Sequence, residues 1–398
     1  MSAENFAEVS RRKSDRPDFI PGLAMSRGIA ALMVAMLHCS QATYFDAAGH
    51  KLPLIAGPKY IAGASVSSTL LRVVGNGHGA VVVFFVLSGF VLTMMLQRWP
   101  QEFTSSARAF FIGRIFRIYP AIVATLLLFT AVFALTGRTI DSPDAFNALN
   151  ILRNALLIHT DIDGVMWSLQ IEMLAAPLIF LAYRAWLRFG DAALIAPFLL
   201  LAGLSFSPAW AHPFGPQPDL SCLYSFIAGM IACIRGKALV ERTGRSGVLL
   251  TIAIAGFAAA RPVLGWWSNW SVIFETLFSG AIIAVIAYGT FRWRGGLALA
   301  ALARYYGRIS YSFYLIHPLT LAVLWHAQTQ LGAAIAAGIP PELVSIALFI
   351  ASTAVITPVA HLQCEWVERA GIAFGRKLQW PRSNKVLTSP ARSQATNH

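Results

Sequence analysis

Long apolar runs separated by short polar segments dominate this chain. We interpret ten of these runs as membrane-spanning helices, because about 20 apolar residues cross a hydrocarbon core of about 30 Å. The predicted spans are 23–42, 78–97, 117–136, 165–186, 191–207, 220–235, 247–262, 270–290, 309–330 and 342–366. The pattern predicts an all-α, polytopic membrane helix bundle. Its transmembrane domain covers 23–366, between an N-terminal segment at 1–22 and a basic tail at 367–398, with an interfacial segment at 145–159.

The basic residues indicate the orientation of the bundle. With the N-terminus in the cytoplasm, 25 of the 31 Lys and Arg residues fall on the cytoplasmic side and 6 on the opposite side. Such a bias is what the positive-inside rule predicts, so we expect both termini in the cytoplasm. The net charge of +13 is spread over short segments between apolar runs, which argues against nucleic-acid binding. The first apolar run is too long for a signal peptide and is expected to remain as the first helix.

Cysteine spacing and known motifs exclude several kinds of chemistry. The four cysteines have no CxxC spacing and lie in or beside apolar segments, so we interpret them as small core residues: Cys39, Cys222, Cys233 and Cys364. The sequence has no Walker A loop, no GxGxxG, no HExxH and no Cys/His metal set. Metal-dependent chemistry and nucleotide hydrolysis therefore have no support in the sequence.

Ionisable residues inside apolar spans are the strongest functional signal, because burying them in lipid is costly. Arg27 and His38 are 11 residues apart, which is almost three helical turns, so both side chains share one helix face. They stand about 16 Å apart along the axis, with Arg27 at the cytoplasmic mouth and His38 near mid-membrane. An imidazole accepts a proton near neutral pH, so His38 is a candidate base. The alternative is a histidine that only hydrogen-bonds between helices.

Polar residues in the second, third and tenth spans are further candidates. Ser88 permits a bend or a close helix approach. Arg114 and Arg117, three residues apart at the mouth of the third span, share a helix face and can clamp phosphate oxygens, or they act only as topology determinants. For Glu365 and Glu368, at the end of the tenth span, we expect ion pairing at the cytoplasmic face.

The fourth and ninth spans also carry polar groups. Glu172 lies about a turn and a half inside its span, which predicts a buried partner or a polar cavity, whereas Trp167 is typical of an interfacial anchor. His78, at the external end of the second span, is expected to be solvated. His317 lies well inside the ninth span, and Pro318 removes a helix hydrogen bond, so we expect a kink there.

Five motifs in this sequence resemble the acyltransferase 3 family, the bacterial integral membrane acyltransferases that O-acetylate polysaccharides, lipopolysaccharide and nodulation-type lipo-oligosaccharides. They occur in family order and at family spacing: RGIAALMVAMLH (27–38), GAVVVFFVLSGFVL (79–92), RIFRIYP (114–120), WSLQIE (167–172) and ISYSFYLIHP (309–318). The tenth span lacks the proline of the family's Glu-Arg/Lys-Pro signature, so no role is transferred to Glu365.

The resemblance implies a role for each matching residue. It implies a catalytic group of His38, Arg27 and Glu172, in which His38 matches the family's essential histidine. It implies contacts to the CoA phosphates from Arg114, Arg117 and Arg27. The remaining motif residues are expected to contact substrate: Tyr311, His317, Trp167 and Ser88.

The implied activity is transfer of an acetyl or short acyl group from cytoplasmic acetyl-CoA to a hydroxyl of a glycan or glycolipid, in a bacterial inner membrane and without a metal. Two other functions remain open from the residues alone. Intramembrane histidine, glutamate and arginine also suit a transporter or flippase for a glycan or lipid, although the paired broken helices of many transporters are not evident. A membrane sensor or scaffold is the third, but its extramembrane parts would be small.

Overall fold

A computed structural model describes residues 20–41, 66–99, 102–139, 143–212, 219–289, 297–324 and 328–379. The regular elements in these ranges are helices, and fifteen α-helices among them have seven or more residues. They are α1 Pro21–Gln41, α2 Val66–Val74, α3 Gly77–Arg98, α4 Phe103–Thr136, α5 Ala148–Ala155, α6 Trp167–Phe189, α7 Ala192–Leu204, α8 Tyr224–Thr243, α9 Ser246–Leu264, α10 Asn269–Tyr288, α11 Leu297–Ile316, α12 Pro318–Leu324, α13 Gln328–Ala336, α14 Pro341–Gln363 and α15 Arg369–Gln379. The four cysteines are free and buried, as predicted.

Eight helical stretches in the described ranges are long and apolar enough to cross a membrane. They coincide with eight of the ten predicted spans, and the predicted all-α membrane bundle is confirmed. The fifth predicted span is α7, whose 13 residues rise about 20 Å, less than the hydrocarbon thickness. The ninth corresponds to α11 and α12, and the helix is interrupted at His317, so the break predicted at Pro318 is confirmed.

Two helices extend well beyond the start of the membrane span predicted for each. Helix α4 begins at Phe103 rather than at 117, and α11 begins at Leu297 rather than at 309. These N-terminal extensions carry arginines, which lie outside the apolar runs but not outside the helices. Arginine is a good helix former, and its long side chain can turn towards water or an internal cavity while the backbone stays helical.

Helices α1 and α11 pack closely along much of their length, and two glycines permit the approach. A Cβ atom at Gly28 would lie 2.6 Å from the carbonyl oxygen of Ala303. A Cβ at Gly307 would collide with the backbone of Ala24. Small residues allow such backbone contact between membrane helices. This contact sets the separation between the polar side chains that α1 and α11 carry.

The segment between α4 and α6 contains the short helix α5. The side-chain amides of Asn150 and Asn154 donate to the carboxylate of Asp161, at 3.0 Å and 2.7 Å. Partial burial alone would raise the pKa of Asp161, but the hydrogen bonds from Asn154 and Asn150 lower it below its ordinary value. Leu149 and Leu152 on the same helix are exposed, which is typical of a helix at a membrane interface.

The chain after α14 continues through a π-helical turn at Cys364–Glu368 into α15, which lies along α4. The rings of Phe374 and Phe116 pack with centroids 5.2 Å apart. Glu365 pairs with Arg369, as expected. The expectation of an ion pair at the surface for Glu368 is wrong, because its side chain is buried and accepts a hydrogen bond from Ser312 Oγ at 3.2 Å. The π-helical turn shifts the register and directs Glu368 towards α11.

We predict that Gly307→Val separates α1 from α11 and destabilises the protein, because overpacking costs about 1–3 kcal/mol and the obstacle here is backbone. Thermal unfolding of the purified protein in detergent measures the change. Gly280→Val in α10 is the matched control, because a Cβ there meets nothing within 4 Å. An unfolding temperature for Gly307→Val equal to that of the control would contradict the close contact.

Candidate active site

Three neighbouring cavities penetrate the described part of the bundle. The first, named the arginine cavity, has a volume of about 200 Å³ and is lined by four arginines and one acidic residue: Arg27, Arg114, Arg117, Arg376 and Glu172. Its lining extends to Trp99, just beyond the end of α3, and to Gln379 at the end of α15. The cavity therefore carries a strongly positive wall, as a site for a polyanion requires.

Glu172 is held by two partners at the inner end of the arginine cavity. Its Oε1 accepts a hydrogen bond from Ser88 Oγ at 2.7 Å and lies 2.8 Å from Nη2 of Arg114. Arg114 is 4% exposed and lies inside the bundle. The position predicted from the sequence, at the mouth of the third span, is therefore wrong. Its Nε is buried and has no hydrogen-bond partner among the described residues. The polar cavity and buried partner predicted for Glu172 are both present.

The second, named the central cavity, is the smallest, at about 50 Å³. It shares Arg27, Ser88 and Glu172 with the arginine cavity, so the two are adjacent. Tyr311 also lines it, and the Tyr311 hydroxyl donates to the carbonyl oxygen of Ile118 at 3.0 Å.

The third, named the histidine cavity, has a volume of about 330 Å³ and is lined by His38, His78, Trp167, Asp219, Trp267 and Asn269. It lies where α3 and α10 begin, at the end of the bundle opposite to Trp99. Val81 and Tyr314 line both this cavity and the central cavity, so they form a shared wall. The Tyr314 hydroxyl lies 2.8 Å from Ser168 Oγ and donates to the carbonyl oxygen of Val165 at 3.1 Å.

His38 and His317 meet across the contact between α1 and α11. Nδ1 of His38 lies 2.9 Å from Nε2 of His317, and the ring centroids are 5.0 Å apart. His38 is partly buried and lines the histidine cavity, whereas His317 is 3% exposed and lies behind it. His38 is therefore not sealed in apolar packing, and it is separated from the arginines by the wall that contains Tyr314.

Residues 20–361 match the model of the Acyl_transf_3 family, described as an acyltransferase domain. This chain belongs to the acyltransferase 3 family. The acyltransferase MdmB of Streptomyces mycarofaciens is 27% identical over 333 residues, which cover 75% of this chain and 78% of the relative. No solved structure is significantly similar to this chain. As an acyltransferase 3 protein, the chain is a multi-pass membrane acyltransferase.

The structure adds residues to the acyltransferase site that the motifs did not identify. Arg376 lines the arginine cavity because α15 packs against α4, a tertiary contact with no local sequence signal. His78 is half-buried against Trp267, with ring centroids 4.8 Å apart, and it lines the histidine cavity. Tyr314 and Ser168, which lie within two of the five motifs, meet in the wall between the central and histidine cavities.

A second buried ion pair borders the histidine cavity of this acyltransferase. Nε of Arg261 lies 2.7 Å from Oε1 of Glu275, which also accepts a hydrogen bond from the Asn76 amide at 2.6 Å. Arg261 and Glu275 are 3% and 0% exposed. The sequence contains a signal for this pair, because Glu275 is an ionisable residue inside the predicted span 270–290, and such residues require a partner.

We predict that Glu172→Leu destabilises the protein, because removing one partner of a buried ion pair costs about 3–5 kcal/mol and leaves Arg114 uncompensated. The double variant Arg114→Met with Glu172→Leu should regain most of that stability. Thermal unfolding in detergent measures both. Glu241→Leu is the control, since Glu241 pairs with Lys237 at the exposed surface. A single variant as stable as the double variant would show that the pair is not coupled.

Proposed function

We propose that this protein transfers an acetyl or short acyl group from cytoplasmic acyl-CoA to a hydroxyl of a glycan or glycolipid, with His38 as the general base. The observation that carries the proposal is the position of His38, on the wall of an open cavity whose neighbour leads to four arginines. A base that only bridged helices would not need a cavity of about 330 Å³ beside it.

The arginine cavity supports a donor with several phosphate groups. Arginine forms charge-assisted hydrogen bonds to phosphate oxygens, and Glu172 neutralises only part of the positive charge. The excess of Lys and Arg on this side of the predicted topology supports a cytoplasmic opening, where CoA thioesters are made.

The central cavity supports the route of the acyl chain. It continues from Arg27, Ser88 and Glu172 to Tyr314, on the wall that faces His38. The pantetheine arm would extend through it and carry the thioester from the arginines towards the imidazole. For the thioester carbonyl to reach His38, the Tyr314 side chain must move out of the wall. This movement breaks its hydrogen bonds to Ser168 and Val165.

The histidine cavity supports an acceptor rich in hydroxyl groups. Trp167 and Trp267 offer broad apolar faces, and Asp219 and Asn269 offer polar atoms to hydroxyls. A cavity that combines aromatic faces with a few polar groups matches a sugar ring, which is apolar on its faces and polar at its edge. The acceptor would enter from the end opposite to the donor.

The proposed reaction is a direct transfer. His38 takes the proton from the acceptor hydroxyl while the hydroxyl oxygen attacks the thioester carbonyl, and a carbon–oxygen bond forms. As the tetrahedral intermediate collapses, the carbon–sulfur bond breaks and the imidazolium returns the proton to the departing thiolate. Arg27, on the same face of α1 as His38, lies between the arginine and central cavities and holds the donor in register.

We predict that His38→Ala folds normally and lowers acyl transfer by about 10²–10⁴-fold, the usual contribution of a general base. Inverted membrane vesicles that contain the protein are supplied with radiolabelled acetyl-CoA, and label is measured in their glycolipid and polysaccharide fraction. His212→Ala, at an exposed histidine, is the control. Activity in His38→Ala equal to that of the control would remove His38 from the chemistry, and an absence of acyl transfer in the wild type would favour a transporter.

We predict that Arg376→Ala raises the KM for acetyl-CoA about tenfold or more with little change in kcat, because one charge-assisted contact is worth about 1.5–3 kcal/mol. Lys377→Ala removes the same charge from the next residue of α15, which does not line the arginine cavity. Kinetics in the same vesicles compare the two variants. An equal effect of both variants would indicate a general electrostatic contribution and not a contact at this cavity.

A further inference from the structure

The hydrogen bonds around His38 and His317 determine which nitrogen of each ring carries the proton. Nδ1 of His317 lies 2.7 Å from the carbonyl oxygen of Tyr314, and Nε2 of His317 lies 2.9 Å from Nδ1 of His38. None of the carboxylates in the described ranges forms an ion pair with either ring. Both imidazoles are therefore uncharged, since a buried charge without a partner is costly. One hydrogen lies between the two facing nitrogens, and one ring donates it to the other.

The Tyr314 carbonyl determines the direction of both hydrogen bonds. A carbonyl oxygen only accepts, so Nδ1 of His317 must carry the hydrogen. Nε2 of neutral His317 is then an acceptor, and Nδ1 of His38 must donate to it. Nε2 of His38 consequently carries the lone pair, and it has no hydrogen-bond partner in the described part of the chain. This is the nitrogen that a general base requires.

Pro318 explains why the Tyr314 carbonyl is available. In a regular helix the carbonyl of residue 314 would accept from the backbone N–H of residue 318, four positions later. Position 318 is proline, which has no N–H, and the helix breaks between α11 and α12. The carbonyl is therefore released from the helix ladder, and the imidazole of His317 occupies it.

We infer that His317 is a positioning residue, which holds His38 in the tautomer with hydrogen on Nδ1 and so presents Nε2 to the histidine cavity as the base. The inference rests on the proposed acyl transfer. During that transfer the acceptor proton moves to Nε2 of His38, and the Nδ1–H of His38 continues to donate to His317, so the imidazolium keeps a hydrogen-bond acceptor. His317 is not the base, because both of its nitrogens are engaged and it does not line the cavity.

Kinetics of two His317 variants separate positioning from packing. His317→Phe keeps a ring of similar size but removes the acceptor, and we expect kcat to fall about 100-fold or more with little change in the KM for acetyl-CoA. His317→Gln places an amide oxygen where Nε2 stood, and its kcat should stay within about tenfold of the wild type. His361→Phe, at a histidine that stacks on Tyr305 outside these cavities, controls for the loss of an imidazole. Equal losses in His317→Phe and His317→Gln would overturn the inference.

Nitrogen chemical shifts provide a readout that does not depend on activity. The protein is labelled at histidine in proteoliposomes, and the His38 signal is assigned by its absence in His38→Gln. We expect hydrogen on Nδ1 of His38 in the wild type and in His317→Gln, and loss of this preference in His317→Phe. Pro318→Ala restores a backbone N–H that competes for the Tyr314 carbonyl, and it should also weaken the preference. Hydrogen on Nε2 of His38 in the wild type would overturn the inference and leave the proposed acyl transfer standing.

If the shifts agree with the inference but His38→Ala retains acyl transfer, His38 is not the base, whereas the tautomer assignment and the acyl transfer activity both stand. The two conclusions are thus tested separately. A misfolded His317→Phe is recognised by its unfolding temperature relative to His361→Phe, and in that case His317→Gln and the wild-type shifts decide the question.

Discussion

The backbone contact between α1 and α11 is the constraint on which the site depends. Gly28 and Gly307 remove the side chains that would separate these helices. Arg27 is the neighbour of Gly28 on α1, and His38 lies three turns further along, where it meets His317. Lipid supplies no hydrogen-bond partners, so polar side chains on membrane helices must be satisfied by other helices or by internal water. A shift of α11 by a fraction of a turn would leave both histidines and the arginine without the surroundings described above.

A buried ion pair borders each of the two larger cavities. The pair of Arg114 and Glu172 borders the arginine cavity, and the pair of Arg261 and Glu275 borders the histidine cavity. Each pair is supported by a further hydrogen bond, from Ser88 in one case and from an asparagine in the other. Paired charges with additional hydrogen bonds are tolerated in a membrane interior, and they also fix the shape of the polar walls beside them.

The sequence predicts those features that depend on local pattern. Apolar length located eight of the spans, and the absence of an N–H in Pro318 predicted the break beside His317. It could not locate the start of α4, because an arginine such as Arg114 has the same local signature at a helix mouth and inside a polar cavity. The contribution of Arg376 was also inaccessible, since it arises only when α15 folds back on α4. Pairing between residues more than fifty positions apart, such as Ser88 with Glu172, requires the tertiary structure.

The narrowness of the central cavity matters for the cell as well as for the reaction. Its volume of about 50 Å³ has room for only a few water molecules, whereas the cavities on either side are several times larger. A wide aqueous pore through a membrane protein would let ions cross the bilayer. Tyr314 and Val81 lie between the central cavity and the histidine cavity, so a narrow stretch separates the two larger polar cavities and limits the water between them.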